Sequence, residues 1–163
     1  MQQIPDEIKE YLSYDSSTGE LTWLQKSACN INIGDVAGSI GGNGYTQVKF
    51  KYRKYSAHRV AWFLYTGKQP PDFIDHKNGN KSDNTWDNLR EATCSQNQQN
   101  KGKPCTNISG YKGVSWYKKS NKWKAYITLD SKQYHLGLFG TPEEAYKAYC
   151  VAADKLHKQF ANY

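Results

Sequence analysis

Apolar and polar side chains alternate with period two near the C-terminal end of the chain. Trp123, Ala125, Ile127 and Leu129 interleave with Lys122, Lys124, Tyr126, Thr128 and Asp130. That pattern predicts a strand with one apolar and one polar face. Shorter strands are expected at residues 113–116 and 134–139, with Asn121 and the Asp130-Ser131 pair at the turns. Thr141, Pro142 and Glu144 then follow the order of a capped helix start: a hydroxyl at the N-cap, proline at the first position, a capping-box glutamate. Ala145, Ala148, Tyr149, Ala152 and Leu156 form the apolar stripe of that helix, and their small size allows close approach to a sheet. Trp116 and Trp123 are expected in the core. The result is three antiparallel strands on one helix, with the polar sheet face left open.

Residues 1–56 read as short strands and turns. Ser16, Ser17, Thr18 and Gly19 are turn residues before the alternating Leu21 and Trp23, and the glycines between Gly38 and Gly44 exclude a helix there. The period-two run from Gln47 to Tyr52 predicts one strand. Beyond Ser56 the spacing of Val60, Ala61, Phe63 and Leu64 is helical; it ends at Gly67, and Pro70 and Pro71 prevent continuation.

From Asp72 to Lys103 the chain is rich in Asn, Asp and Gln, with little aliphatic bulk beyond Phe73, Ile74 and Leu89. Such a segment builds no core of its own, so its polar groups bind something or one another. A strand at 73–76, a polar loop at 77–84 and a strand at 88–91 are expected. Thr93 with Gln96 then forms a capping box that opens a helix running through about Gln99. Residues 101–108 (KGKPCTNI) read as linker. The expected architecture is α+β: a β-rich region at 1–56, a strand–loop–strand–helix segment within 57–103, a linker at 104–108 and a sheet-on-helix unit at 109–163.

Charge sharpens the picture. The chain of 163 residues has 22 basic and 15 acidic side chains, a net of +7. Residues 104–163 hold nine of the basic and four of the acidic groups, a net of +5. A surface of that sign attracts polyanions, nucleic acid first, although a solubilising lysine face would look the same. No apolar run approaches the roughly 20 residues of a membrane span. The start of the chain lacks the basic-then-apolar order of a signal peptide, so a cytoplasmic protein is expected. Cys29, Cys94, Cys105 and Cys150 form no CxxC pair, which argues against a zinc ribbon and against a disulfide framework.

Candidate chemistry lies in the polar segment. Asp75 and Asn97 offer hard oxygen donors suited to Mg²⁺ or Mn²⁺ and not to zinc. His76 is then available to take a proton from water, and an amide such as Asn88 can hold its imidazole in one tautomer. Alone, an Asp-His dipeptide is weak evidence; its value comes from the order Asp-His, loop, Asn-Leu-Arg and capped helix.

The stretches AHRVAW (57–62), TGKQPP (66–71), IDHKNGNKSDN (74–84), NLREAT (88–93) and QNQQN (96–100) resemble the HNH homing-endonuclease family of bacteriophages, a group of ββα-metal nucleases. The resemblance implies His76 as general base and Asn88 as the residue orienting it. It implies Asp75 and Asn97 as ligands of one divalent ion, with Asn97 standing where the family name suggests a third histidine. A second resemblance rests on SGYKGVSWYKKSNKWKAYITL (109–129), HLGLF (135–139) and TPEEAYKAYCVAADKLH (141–157), which are similar to the Apetala/ethylene-response-factor DNA-binding domain. It implies a three-stranded sheet laid in the major groove, with contacts on Lys112, Ser115, Tyr117, Lys119, Lys124, Tyr126, Thr128, Gln133 and His135. Lysine, tyrosine and threonine stand here in place of most of that family's arginines and tryptophans. Phosphate positioning is therefore expected to outweigh base readout.

Further phosphate contacts are expected at Arg59, Lys101 and Lys103, each of which has a structural or solvated alternative. Together these readings predict a metal-dependent endonuclease that nicks double-stranded DNA, with a monomer favoured over an oligomer. A non-catalytic DNA-binding regulator with a relic nuclease segment, or a phage packaging factor, would share many of the same features.

Overall fold

The computed structural model describes residues 3–104 and 106–163; Cys105, in the expected linker, lies outside the described residues. The chain forms two compact units, Met1–Glu91 and Ala92–Tyr163. The division falls inside the 57–103 segment, so its two strands lie in the first unit and its helix in the second. No helix among the described residues is long and apolar enough to cross a membrane.

The first unit is built from small antiparallel sheets. A one-turn helix α1 (Ile8–Tyr11) leads into β1 (Leu12–Tyr14), which pairs with β2 (Leu21–Trp23). A second sheet runs β3 (Ser39–Ile40), β4 (Thr46–Phe50), β5 (Arg53–Ser56). The alternation that predicted one strand to Tyr52 is cut at Phe50. Lys51 (φ 46°) and Tyr52 (φ 65°) make the turn of a two-residue hairpin, a left-handed pair usually announced by Asn or Gly. Lys49 then stands opposite Lys54, and Tyr52 is 96% exposed.

Helix α2 (Ala57–Thr66) buries Val60, Ala61 and Phe63, as its spacing requires, and ends at Gly67 with a left-handed φ of 71°. On one side it closes the main core of Ile8, Leu12, Val48, Phe50 and Tyr55. On the other, Ala61 packs against β6 (Ile74–His76) and β7 (Leu89–Glu91) through Ile74 and Leu89. These two strands are antiparallel, with Asp75 opposite Arg90 and His76 opposite Leu89. With so few apolar residues behind it, this hairpin depends on polar contacts.

In the second unit α3 (Cys94–Asn100) begins at the expected capping box: Gln96 N donates to Thr93 Oγ1 (3.2 Å), and Thr93 N to Gln96 Oε1 (2.8 Å). Strands β8 (Val114–Tyr117), β9 (Lys122–Leu129) and β10 (Lys132–Phe139) form an antiparallel sheet with β9 in the centre. A bulge between His135 and Gly137 shifts the β9–β10 register by one residue. Helix α4 (Pro142–Leu156) starts at the Thr141–Glu144 capping box and packs on the sheet. Its seam is Ala145, Tyr149 and Ala153, against Val114, Ala125 and Ile127. Two expectations change here. Leu156, placed on the stripe, is 40% exposed, and Trp116, placed in the core, is 46% exposed. Trp116 sits on the edge strand β8, where no neighbouring strand covers its outer side, and its ring meets that of half-buried Trp123 (5.0 Å between rings).

Candidate active site

Asp75 and His76 arrive together on β6, each only 4% exposed. The strand register puts Arg90 of β7 across from Asp75. Its Nε donates to Asp75 Oδ2 at 2.8 Å, and its Nη2 lies 2.7 Å from the same oxygen. A carboxylate taken this far out of water needs such a partner, because an uncompensated buried charge costs several kcal/mol, roughly 3–5 when one partner is removed. Arg90 did not figure among the expected site residues. Its signal was available in the register: an arginine on the strand antiparallel to Asp75, at the facing position.

His76 Nε2 lies 3.2 Å from Asn84 Oδ1. Burial pulls the imidazole below its ordinary pKa, against an opposing pull from the Asn84 bond and the Asp75 charge, so the neutral ring is favoured. Asn88, expected beside the imidazole, spends its amide on the loop that follows. Its Nδ2 donates to the Asp83 carbonyl (2.7 Å), and its Oδ1 accepts from Asn78 N (3.0 Å). Behind His76 lies a second histidine on α2: the His58 ring meets it edge-on at 5.2 Å, and Tyr45 flanks both at 5.3 and 5.8 Å. His58 Nδ1 is buried without a hydrogen-bond partner. Burial first, then the charges of His76 and Arg59, push this histidine down to about 3. It is a neutral wall of the site.

Asn97, half-buried, lies on α3 of the second unit. Among the described residues no group of three or more His, Cys, Asp or Glu side chains is arranged to hold an ion. The donors expected here are of another kind. Asp75 presents a buried, guanidinium-fixed carboxylate, and Asn97 offers an amide oxygen. Two hard oxygens fit Mg²⁺ or Mn²⁺, which keep several positions for water and phosphate oxygens. Zinc sites want nitrogen and sulfur.

The C-terminal sheet gathers most of the expected contact residues on one face. Ser115 stands opposite Lys124, Tyr126 opposite His135, and Thr128 opposite Gln133, while Tyr117 pairs with Lys122. Lys124 Nζ reaches over the Tyr126 ring (5.8 Å). Lys119 lies in the exposed turn between β8 and β9. The bulge adds Leu138, 37% exposed and opposite Lys124, to this otherwise polar face.

Other expected contacts are occupied within the fold. Arg59 donates to the carbonyls of Pro71 (2.8 Å) and Pro70 (3.5 Å), bracing the connection between α2 and β6. Lys112 Nζ donates to the carbonyls of Gln99 (2.6 Å) and Asn162 (3.2 Å), and its partial burial pulls it down to about 8. Lys103 Nζ reaches the Gly110 carbonyl at 2.8 Å, and Lys101 is exposed.

Compared with known proteins, residues 55–99 match the HNH endonuclease family and residues 109–159 the AP2 domain. The chain is 33% identical to Protein 3.8 of Escherichia phage T7 over 113 residues, which cover 69% of this chain and 93% of that protein. It is 34% identical over 127 residues to an uncharacterized HNH endonuclease of Acanthamoeba polyphaga mimivirus, covering 75% of this chain and 63% of the relative. No solved structure matches the chain.

Proposed function

Since this chain belongs to the HNH endonuclease family and carries an AP2 domain, we propose that it is a homing-type endonuclease that nicks double-stranded DNA. Residues 57–103 are the nuclease motif, 104–108 a linker and 109–163 the DNA-binding domain. The observation that carries this reading is the buried Asp75–His76 pair on β6, with the imidazole held neutral and against an amide.

His76 takes the proton from the attacking water, a task that requires the neutral ring near physiological pH. Asp75 and Asn97 would supply protein ligands for one Mg²⁺ or Mn²⁺. Such an ion, when bound, stabilises the negative charge that builds on the scissile phosphate and the leaving 3′ oxygen. Arg90 fixes the Asp75 carboxylate through its ion pair. Asn88 holds the chain after His76 by tying Asn78 to Asp83. In-line displacement by water leaves a 5′-phosphate and a 3′-hydroxyl. One such site cuts one strand, so a nick is the product of a single copy.

The face of Ser115, Tyr117, Lys124, Tyr126, Thr128, Gln133 and His135 lies against the duplex, with phosphate contacts outweighing base readout. Lys119, Lys101 and Lys103 add charge beside it, whereas Lys112 and Arg59 serve the fold.

The test is relaxation of supercoiled plasmid with Mg²⁺ or EDTA, with DNA affinity measured in parallel. His76→Ala is expected to lose about 10²–10⁴ in cleavage rate and to keep its affinity. Equal nicking by variant and wild type, or nicking undiminished in EDTA, refutes the mechanism.

A further inference from the structure

Asn84 lies in the loop between β6 and β7, a setting in which an asparagine is usually solvated, yet it is 4% exposed. Its amide orientation follows from its neighbours. Nδ2 donates to the Ser82 carbonyl (3.3 Å), which can only accept, so Oδ1 faces His76 Nε2 at 3.2 Å. A carbonyl oxygen cannot donate. The imidazole proton therefore sits on Nε2, and the basic lone pair is assigned to Nδ1.

The loop is propped from outside the nuclease motif. Tyr14 OH donates to the Asn84 carbonyl at 2.7 Å, and Trp86 N donates to the Ser16 carbonyl at 3.0 Å. Between them the turn at Gly19 presses on the Asn84–Thr85 peptide. A Cβ on Gly19 would lie 2.5 Å from Asn84 C and from Thr85 N, and its φ of +77° already disfavours any other residue. The turn is itself fixed: Asp15 Oδ1 accepts from Ser17 N (2.8 Å), and Gly19 N returns to the Asp15 carbonyl (2.8 Å). On the far side Trp86 stacks on Tyr65 of α2, 4.0 Å between rings, with Trp62 at 5.0 Å.

We propose that Asn84 is the positioning residue that fixes the tautomer and orientation of His76, and that the β1–β2 turn, clamped on the Asn84–Thr85 peptide, holds it there. This role rests on His76 being the general base. A ring free to change tautomer or swing by about 1 Å loses about 10²-fold in rate, while the surface that binds DNA is untouched.

The experiment uses the full chain, with Asn84→Ala, Asn84→Asp and Gly19→Ala. Single-turnover cleavage of plasmid and DNA affinity are measured, together with the imidazole ¹⁵N shifts of His76. In the wild type the shifts are expected to report the proton on Nε2. Asn84→Ala is expected to mix the tautomers and slow cleavage about 10²-fold at unchanged affinity. Asn84→Asp keeps an acceptor oxygen and the Nε2–H tautomer, and recovers most of the rate. Gly19→Ala displaces the peptide and moves shifts and rate in the same direction as Asn84→Ala. A wild-type ring protonated on Nδ1, an Asn84→Ala variant with unaltered shifts, or equal losses in Ala and Asp variants would each overturn the proposal. Should His76→Ala cleave like the wild type, the general-base reading fails. The tautomer measurement still decides whether Asn84 sets the ring.

Discussion

Acidification should destabilise the first unit through one buried histidine. His58 is pushed down to about 3 from 6.5, by burial first and by the charges of His76 and Arg59 second. Because the folded value is the lower one, the unfolded chain takes up the proton earlier as pH falls. Stability is therefore complete above about pH 6.5 and drains away toward about pH 3. Near pH 5 the unfolded imidazole is almost fully charged and the folded one hardly at all, which gives a loss of about 2 kcal/mol. In a unit of this size that lowers the melting midpoint by about 10 °C.

His58→Phe keeps a ring against Tyr45 and His76 but cannot bind a proton, and its orphaned Nδ1 disappears. Melting followed by circular dichroism, at about pH 8 and about pH 5, should show variant and wild type within roughly 1 kcal/mol at the higher value. At the lower value the variant should melt about 10 °C higher. His76, also held low by burial, leaves an acid slope in both proteins, so the readout is the difference between the curves. Curves that stay parallel across this range would refute the linkage.

Removing Arg90 takes a guanidinium ion pair from a buried carboxylate, so Arg90→Leu should lower stability in urea titrations by about 3 kcal/mol; a change below about 1 kcal/mol would mean that Asp75 is compensated without it. On DNA, the slope of log affinity against log salt should fall by about 0.9 in Lys124→Ala, with no change in Lys112→Met. Lys112→Met should instead lower the melting midpoint of the second unit, since its amine joins Gln99 and Asn162. A reduced slope in Lys112→Met would return that side chain to the contact face.

The legible parts of the fold were those decided by neighbours in sequence. Thr93 and Thr141 announce helices because a capping box is complete within four residues, and β9 announces itself because burial on one face imposes period two. The Lys51-Tyr52 turn escaped because it uses left-handed residues without the usual Gly or Asn, so polar alternation ran on through it. Exposure of Trp116 depended on β8 being an edge, which sequence does not state. Of the candidate residues, Asp75, His76, Asn88 and Asn97 were expected from their order and a resemblance, whereas Arg90 and Asn84 emerged from register and loop closure. His58 lies one helix away from His76, and no local pattern joins them.

The match to the nuclease family opens at residue 55, yet the loop inside it leans on Tyr14, Ser16 and Gly19. The family match and mechanical self-sufficiency thus have different borders in this chain. A minimal enzyme trimmed to the matching stretch would retain every signature side chain and lose the scaffold against which they are levelled. Grafts of this nuclease onto other DNA readers should begin upstream of the first β-hairpin.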